Sequence, residues 1–393
     1  MNRLLRDTME EWADEVRVPH DLADRALRRR ARPSFATIAA VALAAGVAVV
    51  VAVLAVGLHG RNTTVRPANG VTVPVRPEVT STDVRADVEN APPRKFVAAG
   101  NVAVSAYFTT WQEKLPDEVQ RLRRTWYLYD PRSDGYEKTS WAWLDVAPGL
   151  QLAAVLQGER IGRRVGIVDM NTRQALAWID LEHDVGSLVW SPDGTRVLAT
   201  AYSQYPEQSR KRVSKDSFTI DDFVTPRIGF YVIDVATGQA VYHPLPPLSR
   251  DGKPGNMNGR QDLGWSLDGS MLWEPTDTMP DRLWLGLDGT RRDGPAGDRY
   301  IDYSGWSKVS PDGRYTLDRD LPPSKPGAQL VLQYLAWADD DNVVVLGCAD
   351  ACESEFRNGL VLASADGERM TQLTGSRDRG GDETWQWVLT RRN

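Results

Sequence analysis

The chain has 393 residues, a net charge of −6, 41% hydrophobic and 25% charged side chains, the balance of an ordinary globular protein. That charge gives no reason to expect a nucleic-acid partner, and two cysteines exclude a disulfide-dense scaffold or a multi-cysteine zinc domain. The 14 tryptophans stand out, because all but one of them follow residue 100.

Residues 1–34 begin with acids (Asp7, Glu10, Glu11, Asp14, Glu15) and end with Arg25, Arg28, Arg29, Arg30 and Arg32. Leu5, Met9, Trp12 and Val16 fall on one face of a helix that Pro19 ends. So short a helix is marginal alone. Its apolar stripe therefore lies on a membrane surface or docks on a cytoplasmic partner. The layout resembles the short cytoplasmic heads of bacterial transmembrane regulators such as anti-sigma factors, although His20 stands alone and no cysteine accompanies it.

From Phe35 to Leu58 no residue is charged and only Thr37 is polar. At 1.5 Å rise per residue the run is roughly 36 Å long, enough to cross a bilayer core as a helix. More arginines precede it than follow it, which places the N-terminus in the cytoplasm and the bulk of the chain outside. A cleaved signal peptide is the alternative, but its apolar core is shorter and its basic start briefer. The reading is an uncleaved signal anchor. Residues 59–95 carry five prolines and no aromatic residue, the composition of an extended linker, with an edge strand near Val71–Val79 as the other option.

A repeat fills the remainder, 96–393. Trp190-Ser191-Pro192-Asp193-Gly194 recurs as Trp265-Ser266-Leu267-Asp268-Gly269 and as Val309-Ser310-Pro311-Asp312-Gly313. Trp337-Ala338-Asp339-Asp340-Asp341 is a degenerate copy, and Val146-Ala147-Pro148-Gly149 another. Pro148 and Pro192 lie 44 residues apart, as do Asp268 and Asp312. In each copy an apolar strand ends in a tight turn: Pro presets φ, the Asp side chain caps, and Gly takes positive φ. A second turn class alternates with these, as in Ile167-Val168-Asp169-Met170-Asn171-Thr172 and Ile233-Asp234-Val235-Ala236-Thr237-Gly238. Two hairpins per repeat make a four-stranded unit.

These copies resemble the WD40-like (PD40) repeats of TolB-type β-propellers. The resemblance implies a mainly β fold: a six-bladed propeller, with seven blades as the alternative, serving as a binding platform. Closure pairs a strand near Trp385–Leu389 with one near Phe96–Val104, since an unpaired edge invites aggregation. The repeated tryptophans pack between blades or form a stacking platform.

Chemistry is sparse. No G-x-S-x-G elbow or H-E-x-x-H motif occurs, and His183 and His243 read as loop residues. Asp339-Asp340-Asp341 lacks the alternation of a calcium loop and reads as a solvated turn. Ile167–Trp178 and Ile233–Tyr242 are similar to repeats of quinoprotein propellers, with Arg173 where glycine is expected. Cys348 and Cys352 are spaced for a small disulfide loop, two free thiols or half a metal site. The polar insertion Ser203–Arg227, carrying Arg210, Lys211, Arg212 and Lys215, reads as a loop projecting from one face, solvated or in contact with a partner. The expectation is a single-pass membrane protein whose outer domain binds a protein or ligand without catalysis and without a cofactor. A regulator with a sigma-factor-binding head and an extracytoplasmic quinoprotein-like enzyme are the alternatives.

Overall fold

In the computed structural model the described residues are 71–75, 83–116, 119–158, 160–214, 217–221, 226–246, 249–250, 253–254, 260–276, 282–295, 299–301, 305–317, 330–350, 357–378 and 385–393. The chain divides into two compact units, Met1–Gly60 and Arg61–Asn393, and every described residue belongs to the second. The expected head at 1–34 and membrane helix at 35–58 lie outside the described residues. Among those residues no helix is long and apolar enough to cross a membrane, and every regular element is a strand.

The strands form successive antiparallel meanders. β1 (Val84–Arg85) and β2 (Ala98–Ala99) lead into β3 (Val102–Lys114), β4 (Val119–Asp130) and β5 (Gly135–Lys138) of the first sheet. The second sheet is β6 (Trp143–Val146), β7 (Leu152–Leu156), β8 (Gly162–Asp169) and the start of β9 (Ala175–Trp190). β9 has 16 residues and joins two meanders of one continuous seven-stranded sheet, called here the second and third sheets, pairing Ile179 with Val165 of β8 and Trp190 with Val197 of β10 (Arg196–Tyr202). The Ser203–Arg227 insertion follows, with β11 (Gln208–Ser214) and β12 (Ser217–Asp221); then β13 (Arg227–Asp234) and β14 (Ala240–Pro244) complete the third sheet.

β15 (Ser249–Arg250) and β16 (Lys253–Pro254) form a small ribbon. A fourth sheet is β17 (Gly264–Trp265), β18 (Leu272–Pro275), β19 (Arg282–Leu285) and β20 (Arg291–Arg292). Around the third Ser-Pro-Asp-Gly copy the described residues make only the bridges Tyr300–Ser307 and Val309–Thr316. The last meander is β21 (Leu330–Trp337), β22 (Asn342–Cys348), β23 (Arg357–Ser364) and β24 (Met370–Gln372), with β25 (Arg377–Asp378) beside β23. The C-terminal β26 (Trp385–Arg391) returns to the first sheet, pairing Leu389 with Val104 and Trp385 with Thr109. The expected closure thus forms, but on Val102–Thr109 rather than Phe96–Val104, with only Val102–Val104 in common, and it gives β3 a partner on each side.

The cores follow the same cycle. Ala106 and Leu128 of the first sheet pack on Leu144 and Val155 of the second. Ile167 and Leu181 meet Val197 and Tyr231, and Leu198 and Phe230 meet Trp265 and Leu272. Trp284 contacts Tyr300 at 5.2 Å, Ile301 and Leu317 pack on Trp337 and Val343, and Leu335 and Leu346 return to Val102 and Trp385. Burying each such side chain is worth about 1.5–3 kcal/mol.

The repeated tryptophans stitch this cycle together. The Nε1–H of Trp190 donates to Asp145 O at 3.1 Å, that of Trp265 to Val189 O at 3.0 Å, and that of Trp337 to Lys308 O at 3.2 Å. Asp145, Val189 and Lys308 each stand one residue before the lead of a repeat copy, so one donor–acceptor rule recurs between sheets. Each ring is buried, and its indole N–H would cost free energy without that carbonyl.

Part of the expected linker also packs here. Val71 joins the core of the second and third sheets, and Gln151 Nε2 donates to Val75 O at 2.9 Å. Asp87 receives the backbone N–H groups of Arg94 and Lys95 at 2.6 and 3.0 Å.

Candidate functional site: a tryptophan-walled axial cavity

The aspartate turns share one geometry. Asp193 Oδ1 accepts Thr195 N–H at 3.1 Å while Ser191 Oγ accepts Arg196 N–H at 2.9 Å. Asp268 with Ser266 and Asp312 with Ser310 repeat both bonds at 2.9–3.0 Å. Gly194, Gly269 and Gly313 have φ of 69°, 69° and 79°, the left-handed region that glycine enters without a Cβ penalty. The Asp312 carboxyl is held down at about 2 by the backbone N–H and guanidinium of Arg314. Neighbouring turns touch, since Arg196 Nη2 donates to Gly269 O at 3.0 Å. Arg173 also takes positive φ, 61°, where the repeat prefers glycine. Its guanidinium offsets that cost by donating to Leu128 O and Tyr129 O of the first sheet, at 3.1 and 2.6 Å.

His183 and His243 are not in loops: they lie in β9 and β14, with ring neighbours Tyr242 at 4.3 Å and Phe230 at 5.1 Å. Strand pairing sets Phe230 directly opposite His243, whereas His183 meets Tyr242 from a strand that does not pair with β14. The Ser203–Arg227 insertion is not a bare projecting loop either. Its β11, which includes Arg210, Lys211 and Arg212, pairs with the extended end of β4 and with β12, satisfying backbone groups that a loop would leave to water. Lys215 lies outside the described residues. Asp339 caps its own turn, accepting the N–H groups of Asp341 and Asn342 at 2.8 Å. Cys348, at the end of β22, is disulfide-bonded, and Cys352 lies outside the described residues.

A cavity of about 290 Å³ opens where the leading strands of the meanders converge. Its wall includes Asp145 and Val146 from β6, Val189 and Trp190 from β9, Gly264 and Trp265 from β17, Gly305 and Trp306, and Leu389, Thr390 and Arg391 from β26. Trp273, Asp262 and the turn residues Pro148 and Pro192 complete it. Because one strand from each of several meanders contributes, the cavity sits on the axis of the cycle.

Two carboxylates reach it in different states. Asp262 is fully engaged: Arg260 Nη1 donates to its oxygens at 2.7 and 3.0 Å, and Tyr202 OH donates at 2.7 Å. Arg260 in turn lies 3.0 Å from Glu207, which Arg124 grips with both guanidinium nitrogens. Burial raises the Glu207 carboxyl, but the Arg124 hydrogen bond and the Arg260 charge together hold it below its ordinary value. This network joins the base of the insertion to β4 and reaches the cavity wall at Asp262.

Asp145 is different. Its Oδ2 accepts Trp190 N–H at 2.8 Å, and among the described residues no cation pairs with it. Burial pushes its carboxyl up to about 6, opposed only by the backbone N–H groups of Trp190 and Val146. Asp145, Asp262, Arg260 and Glu207 were not foreseen from the sequence. A signal existed for Asp145 alone: it interrupts the apolar run Trp143-Leu144-Asp145-Val146, in a strand that should be core.

No family model and no curated protein matches the chain. Among solved structures it is similar to the Cps50 (Swd1) beta-propeller domain of Myceliophteria thermophila, with 9% identity over 73% of this chain and 88% of that one, at a TM-score of 0.34. It is also similar to TolB from Acinetobacter baumannii, with 15% identity over 73% of this chain and 68% of that one, at a TM-score of 0.32.

Proposed function

We propose that the chain is a membrane-tethered, extracytoplasmic six-bladed β-propeller that binds a ligand or partner and performs no catalysis of its own. The observation that carries this reading is the axial cavity, a concave space with aromatic walls and few polar groups, which is the usual character of a binding pocket. The cyclic order of cores and the return of β26 to the first sheet support the ring. The charge-free run 35–58 with its arginine-rich leading flank supports the tether. Protease added to right-side-out vesicles is expected to degrade the C-terminal bulk; full protection would overturn the topology. Small molecules are expected to raise the melting temperature of the full-length protein in detergent. Competition between them for one saturable site supports the cavity, and a screen with no saturable binder counts against it.

One observation favours a regulator as the second reading. Pro148 lines both the axial cavity and the contact with Val73 and Pro74. A ligand in the cavity therefore sits one residue away from the chain leading toward the membrane. Capture of a cytoplasmic protein by residues 1–34 that changes with ligand is the expected result. Capture that ignores ligand would sink this coupling.

A further inference from the structure

We propose that the axial cavity is a site for a small organic ammonium ion, with Asp145 as its counter-ion. The inference rests on the reading of that cavity as a ligand site and adds the chemistry of the ligand. A buried carboxylate normally has a cation beside it, because removing a lone charge from water is costly. Asp262 obeys that rule through Arg260. Asp145, on the same cavity wall, does not: the groups that oppose its burial are the backbone N–H groups of Trp190 and Val146. The structure thus maintains an acid whose cation is not part of the described chain.

The remaining charged wall group does not fill that role. Arg391 donates to Gly305 O at 3.2 Å and lies over the Trp306 ring at 4.4 Å. No arginine or lysine lowers the Asp145 carboxyl, whose rise comes from burial. A volume of about 290 Å³ suits a small molecule and is too small for a folded partner. A strongly hydrated metal ion needs several oxygen ligands, and no group of three or more candidate metal ligands occurs among the described residues.

The test uses full-length protein in detergent and titration calorimetry with n-butylammonium and tetramethylammonium chlorides, against n-butanol and sodium chloride as controls. Saturable binding of at least one ammonium at pH 7.5, with n-butanol at least tenfold weaker, is expected. Asp145→Asn keeps the acceptor for Trp190 N–H and should weaken ammonium binding at least tenfold. Wild-type binding should also weaken about tenfold from pH 7.5 to pH 5, as Asp145 takes up a proton; this measurement does not depend on the variant folding. Equal binding of n-butanol, undiminished binding by Asp145→Asn, or no ammonium binding would each overturn the proposal. Binding of a lysine-bearing peptide without binding of either free ammonium would overturn it too. If neutral molecules occupy the cavity while ammonium ions do not, the ligand chemistry fails and the cavity reading stands; if nothing binds, both fail.

Discussion

At the edge of the sheets that carries Asp193, Asp268 and Asp312, each turn closes on itself within a few residues through its own serine, aspartate and glycine. At the opposite edge, Arg124 and Glu207 meet although 83 residues separate them, and Arg260 joins them from a third segment. In an antiparallel meander alternate turns fall at opposite edges, so the two edges could have been equally regular. They differ because one is built from local hydrogen bonds, which any repeat copy can make alone. The other is built from charges that are tolerable only when brought together. Damage to the first edge should therefore be modest and confined, and damage to the second should spread.

The largest effect should come from Glu207→Ala, which leaves Arg124 and Arg260 buried beside no shared carboxylate. Loss of about 3–5 kcal/mol is expected, read as a lowered urea midpoint; a midpoint unchanged from wild type would erase the contrast between edges. Asp145 comes next. Its raised carboxyl means that the folded state holds a proton more tightly than the unfolded chain, so it subtracts stability as pH rises from about 4 to 6. Asp145→Asn should remove that decline, gaining roughly 2–3 kcal/mol relative to wild type at pH 7 compared with pH 4. Parallel unfolding curves of the two proteins at both pH values would refute it.

Trp265→Phe should cost about 1–2 kcal/mol, because Val189 O loses its indole donor across the sheet boundary. Trp337→Phe should behave alike, since Lys308 O plays the same part; a large disparity between them would show that the recurring bond is not what matters. The smallest effect belongs to the turn edge. Asp268→Ala should cost about 1 kcal/mol, by analogy with a lost capping side chain, and hydrogen exchange should quicken only around Ser266–Leu272. Exchange quickening in distant sheets would blur the distinction.

Much of the fold was legible from the residues. The turn aspartates and glycines stand where their types required, and of the closing strands expected at Trp385–Leu389 and Phe96–Val104 the first was placed well and the second several residues early, since the pairing lies on Val102–Thr109. Asp312 and Asp340 lie 28 residues apart, against 44 between Asp268 and Asp312, and the described residues at 299–317 form isolated bridges. The insertion was misjudged because charge and polarity describe a solvated loop equally well as a hairpin that borrows the edge of β4. Arg173 looked like a lapse from the repeat, yet its side chain supplies what glycine would have saved.

The residue order alone determined the local units, because a turn or a strand is decided by φ preferences, short-range hydrogen bonds and alternating polarity, all of which act within a few positions. Tertiary structure alone decided the cavity. Asp262 takes its cation from Arg260, two residues away, and a further donor from Tyr202, 60 residues away, whereas Asp145 receives only backbone N–H groups. Burial acts through space, so only the packed sheets decide how far each acid is removed from water.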